Sequence, residues 1–78
     1  MFRRTDRETR EYVIVATTDD GRSAIAWTGQ ATPRNAQRMT NRLAVECIGA
    51  QVAAASPMWN LGLNPDAKVT GITLKGGA

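Results

Sequence analysis

The chain has no histidine and one cysteine among its 78 residues. Without histidine it lacks the side chain that most often serves as a general base near neutral pH, and the commonest metal ligand. One cysteine excludes an internal disulfide, and a single thiolate cannot build a zinc site. The acids Asp6, Glu8, Glu11, Asp19, Asp20, Glu46 and Asp66 are scattered. Asp19 and Asp20 adjoin, but they precede Gly21, and turn geometry accounts for them better than acid/base pairing does. Neither a GxxxxGKS/T loop nor a GxGxxG loop occurs among the glycines, so no phosphate cradle is encoded. The sequence therefore reads as a non-catalytic protein that uses no cofactor and no metal. Apolar runs are also short. None is long enough to span a membrane, and the opening MFRRTDRETR lacks the apolar stretch of a secretory signal. The expected location is cytoplasmic.

Aromatic residues are few: two tryptophans, one tyrosine and one phenylalanine. A domain this small buries only about 60% of its unfolded surface. With few large side chains its core is thin, and self-association is a common remedy. Cys47 falls among apolar neighbours and reads as a small buried hydrophobe. The net charge is +3. Two of those charges arise in the first ten residues, where Arg3, Arg4, Arg7 and Arg10 outnumber Asp6 and Glu8. Such an arm either solvates a loose terminus or touches nucleic acid or an acidic protein.

Three segments read as strands. EYVIVATT (11–18) is rich in β-branched residues. Asp19-Asp20-Gly21 is the clearest turn, suited to a two-residue type I′ loop or a three-residue loop with a bulge. RSAIAWTG (22–29) returns as the second strand. The shorter loop places Tyr12, Ile14, Ala16, Ile25 and Trp27 on one face; the longer joins Val13 and Val15 with Ile25 and Trp27. KVTGITLK (68–75) is the third strand. Gly71 within it marks a bulge that lets Val69 and Ile72 point the same way.

Between the second and third strands, residues 32–56 read as one long helix. Thr32 is an N-cap, Pro33 suits the first helical position, and Ser56-Pro57 supplies the stop. Ala36, Met39, Leu43, Cys47, Ala50 and Ala54 form the core stripe. Val45, Ile48 and Val52 lie opposite, so the C-terminal half is apolar nearly all round and needs cover on two sides. Arg34, Arg38 and Arg42 form a third stripe. It is either a solvated face, with Arg42 and Glu46 as an i,i+4 pair, or an anion site.

The loop after the helix carries Met58, Trp59, Leu61 and Leu63. Either it folds back over Val45, Ile48 and Val52, or it anchors a partner through Trp59. The expected fold is α+β, in the order β-β-α-β. A three-stranded antiparallel sheet of order 2-1-3 carries the helix on one face and leaves both edges open. Residues 1–9 form the arm, 10–75 the single domain and 76–78 a tail.

The run YVIVATTDDGRSAIAWTG leading into ATPRNAQRMTNRLA resembles the small orphan proteins of actinobacterial phages and prophages. The resemblance is one of composition over the whole chain. It implies an accessory factor that binds a host protein or phage nucleic acid, and it assigns no residue a role. Two functions follow from the residues themselves. The first is a self-associating interaction module that binds a protein through Val45, Ile48, Val52, Met58, Trp59 and Leu61 or through an open strand edge. The second is a nucleic-acid-binding accessory protein that uses Arg3, Arg4, Arg34, Arg38 and Arg42. For base stacking it has Tyr12 and Trp27 on the sheet, which otherwise serve as core.

Overall fold

A computed structural model describes residues 8–59 and 62–76, with only the helical backbone over 56–59. Strand β1 (Arg10–Thr18) is central and pairs antiparallel with β2 (Ser23–Ala31) on one side and β3 (Val69–Gly76) on the other. The sheet order is β2-β1-β3, with helix packed on one face, as the β-β-α-β pattern predicts. β1 alternates as a half-buried strand should. Tyr12, Ile14, Ala16 and Thr18 are buried towards the helices, whereas Val13, Val15 and Thr17 are half-buried on the opposite face.

The first hairpin combines the two registers compatible with its sequence. The turn is the longer one: Thr18 N–H donates to Arg22 O at 2.9 Å, and Gly21 adopts φ +81°. Val15 therefore pairs with Ile25. A bulge then leaves Ala26 without a pairing partner and sets Trp27 opposite Ile14. An extra residue shifts the alternation by one, which brings Trp27 to the helix-bearing face. A second bulge lies one residue before the glycine that predicts it. Thr17 pairs with Gly71 and Thr18 with Val69, so Thr70 is the extra residue. Val69, Ile72 and Leu74 all pack on the core.

The helical segment is broken. Helix α1 spans Pro33–Cys47 and a second helix, α2, spans Val52–Trp59. Thr32 caps α1 as expected, its Oγ1 accepting from Asn35 N–H at 3.2 Å. The break is at Ile48, which is extended, and Gly49, at φ +90°. A left-handed residue after the cap is a common helix ending and favours glycine. Here it also turns the chain onto the start of β3. Gly49 N–H donates to Val69 O at 2.8 Å, Val69 N–H to Ala50 O at 2.9 Å, and Val52 N–H to Ala67 O at 2.8 Å. These long-range bonds replace the helical ones that an unbroken helix would have made. Pro57 lies within α2 and is not the stop.

The break re-phases the apolar positions. Val52, placed by helical spacing on the outward stripe, is a core residue at 1% exposure, and Ala55 joins it. Ala54, placed on the core stripe, is exposed, and Ala50 is only half-buried. Thr40 is buried as well, its hydroxyl donating to Ala36 O at 2.8 Å. Among the described residues the fully buried large side chains are Ile14, Val52 and Val69. Alanines 16, 26, 36, 55 and 67 make up much of the remaining core among the described residues. Small side chains let the helices approach the sheet closely but provide little apolar area for stabilisation.

Asp19 and Asp20 do structural work in the turn. Thr18 Oγ1 donates to Asp20 Oδ1, Asp19 N–H donates to Lys68 O at 2.9 Å, and Lys68 N–H donates to Asp19 Oδ1 at 3.3 Å. The hairpin tip is thereby tied to the beginning of β3.

Candidate functional site

The sheet is three strands wide, and the helices do not cover it evenly. α1 lies closest to β3. Between α1 and β2 a cleft of about 480 Å³ remains, lined by Thr9, Gln30, Asn35, Arg38 and Arg42 around Trp27 and Met39. A smaller cleft of about 200 Å³ continues from it along Trp27, Met39 and Arg42 to Leu43 and Glu46. The two share three residues and form one groove.

The groove floor is apolar. Trp27 is half-buried and packs on the core together with Met39. The indole lies along its own strand above Gly29: a Cβ at Gly29 would stand 2.9 Å from Trp27 Cζ2. A glycine two residues on leaves room for a large ring to lie flat against the backbone of an edge strand. Tyr12, the other aromatic with a stacking reading, is buried in the core and unavailable for that role.

The walls are polar. Arg34, Arg38 and Arg42 are all exposed on α1, but only Arg38 and Arg42 line the groove. The i,i+4 pair of Arg42 with Glu46 does not form, and among the described residues neither Arg38 nor Arg42 makes an ion pair. Glu46 instead bounds the far end of the groove. The first turn of α1 is largely self-satisfied, because Thr32 accepts from both Asn35 and Ala36 through its side chain and carbonyl. Any anion attracted here meets the guanidinium groups rather than a free helix terminus. Arg3 and Arg4 lie outside the described residues.

The residues expected to bind a protein separate. Val45 is 85% exposed and Ile48 46% exposed, so the described part of the following loop does not cover them. Val52 leaves the set, as shown above. The side chains of Met58 and Trp59, and Leu61 altogether, lie outside the described residues. Leu63 packs on the core and Ala67 is buried, so the end of that loop helps close the fold. Ile25, on β2, is 53% exposed and stands out as an apolar surface residue that helix-centred reasoning passes over.

Cys47 is buried, and burial pushes its thiol pKa up, with the nearby Glu46 charge acting in the same direction. Such a thiol is poorly suited to nucleophilic work. Among the described residues no cluster of three or more His, Cys, Asp or Glu could hold a metal ion, and no helix is long and apolar enough to cross a membrane. No family model matches the chain, and neither a curated protein nor a solved structure matches it.

Proposed function

We propose that the protein is a non-catalytic interaction module that self-associates by pairing the open edge of β2 and presents the joined sheet to a protein partner. The observation that carries this reading is the edge itself. β2 is nine residues long and bears no charged side chain. Natural edge strands are usually shielded by charge, proline, a bulge or brevity. β2 has only the bulge at Ala26, which leaves Trp27–Ala31 as a straight run for pairing. The β3 edge carries Lys75, a charge of the kind that shields an edge, so it is the poorer template. Exposed Ile25 and half-buried Val13 and Val15 extend the apolar surface across the face behind β2.

Antiparallel pairing of two identical strands requires a twofold axis normal to the sheet. Two copies would then form a six-stranded sheet with all helices on one face and a continuous opposite face for a partner. An accessory role of this kind also fits the compositional resemblance to small phage proteins. Sedimentation velocity over a concentration series tests the idea. A monomer–dimer equilibrium is expected, and replacing Ile25 and Thr28 together by lysine shifts it to monomer while circular dichroism stays native. A chain that is monomeric throughout, or a lysine variant that dimerises like the parent, would sink it.

A further inference from the structure

We propose that the groove between α1 and β2 binds single-stranded nucleic acid, with Trp27 as the stacking platform and Arg38 and Arg42 as phosphate contacts. The reading goes beyond self-association and does not rest on it, because one chain supplies the whole groove.

Three features converge. The first is size: about 480 Å³ falls within the range of pockets that take a nucleotide-sized ligand. The second is the floor. The six-membered ring of Trp27 lies against Gly29, and the side chain is partly exposed in the cleft that Met39 also lines. Every base has a π-face, so stacking on one fixed ring is tolerant of sequence. The third is uncompensated charge. Arg38 and Arg42 stand one helical turn apart on the same wall, with a rise of about 6 Å between them. They make no ion pair among the described residues, so their guanidinium groups are available to successive phosphates. Thr9, Gln30 and Asn35 add polar groups at the rim, where sugar and base edges would lie. Arg34 continues the positive track one turn towards the N-terminus without lining the groove.

The geometry favours a single strand over a duplex. The indole is recessed between helix and strand, and a base reaches it only when unstacked and splayed from its partner. It also favours nucleic acid over an acidic peptide. A peptide's carboxylates would use the arginines but not the flat apolar floor. Glu46 closes the basic stretch at its far end and limits the track within one chain.

The test is titration of the full chain with a short oligothymidylate, read by tryptophan fluorescence at several salt concentrations. Quenching and salt-dependent affinity are expected. Arg38→Glu with Arg42→Glu, both exposed, should lower affinity about tenfold or more and reduce the slope of log K against log salt by about 1.4, the value for two phosphate contacts on a single strand. Trp27→Phe keeps a ring over Gly29, so it should retain most of the affinity while losing the Trp27 share of the quench. Circular dichroism establishes that each variant is folded. Binding should persist at concentrations where the chain is monomeric, so failure of dimerisation leaves this inference standing. Absence of binding by the parent chain overturns it, as does an undiminished double variant. Equal affinity for the matching duplex overturns the single-strand reading. Equal competition by short polyglutamate overturns it in favour of an acidic protein partner.

Discussion

The two flanks of α1 are built differently. Towards β3 the chain is sealed. Gly49, Ala50 and Val52 exchange backbone hydrogen bonds with Ala67 and Val69, and Val52 and Val69 fill the space beneath. Towards β2 a cleft remains, and it holds a half-buried indole and two arginines that make no ion pair among the described residues. The difference follows from width. One helix covers about two strands, since helices pack some 10 Å from their neighbours while strands lie about 4.8 Å apart. A three-stranded sheet under α1 has a strand to spare. α2 brings Val52 and Ala55 into the same core as Ala26 on β2, yet the stretch near Trp27 stays open. Long-range backbone hydrogen bonds are concentrated on one flank and open space on the other.

Substitutions can break this contrast. The largest effect is expected on the sealed flank. Val52→Ala removes buried methyl groups from a core with few large side chains and should cost about 2–3 kcal/mol. Val45→Ala, on the solvent side of α1, should change stability by less than about 0.5 kcal/mol. Chemical denaturation of the two variants measures the difference directly, and equal costs would contradict the broken helix. Next comes Gly49→Ala. Nothing lies within 4 Å of a Cβ there, so the cost is purely that of a left-handed backbone, about 1–2 kcal/mol. A lowered melting temperature with unchanged oligonucleotide affinity would show that the hinge serves the sealed flank alone.

The smallest effect is that of pH on Cys47. Its thiol pKa is raised in the folded state above the ordinary 9.0 by burial, with Glu46 adding to it. The unfolded chain therefore loses this proton first. The contribution of the neutral thiol is fully present below about pH 9.0 and falls away as pH rises through the folded value. Melting curves taken across this alkaline range should show a decline that Cys47→Ala reduces. A variant with the same decline would assign it to other groups.

Much of the architecture was legible in local chemistry. The strands at 11–18 and 22–29, the Asp-Asp-Gly turn, the Thr32-Pro33 helix start and the 2-1-3 order all rest on short-range preferences and one handedness rule. The helix break was harder to see. Gly49 is tolerated in a helix at about 1 kcal/mol, so the wheel ran straight through it to Ser56. One signal was present: a helix apolar nearly all round is unusual in a chain this small. That roundness arises because Val45 and Val52 belong to helices of different phase. The groove was half visible. Arg38, Arg42 and Trp27 were each singled out from the sequence. Their convergence was not, because a bulge at Ala26, set by pairing with β1, decides which way the indole faces.

By itself the sequence determined what this protein lacks and what its pieces are. The absence of histidine and the single cysteine are read directly from it, and period and capping residues placed three strands around a helical segment. Only the tertiary structure decided where the helix ends, which valine is core and which arginines face the tryptophan. The physical reason is the same each time. These choices depend on backbone hydrogen bonds and packing between residues far apart in the chain, such as Gly49 with Val69 and Val52 with Ala67. Local propensities of about 1 kcal/mol per residue are too small to resist them.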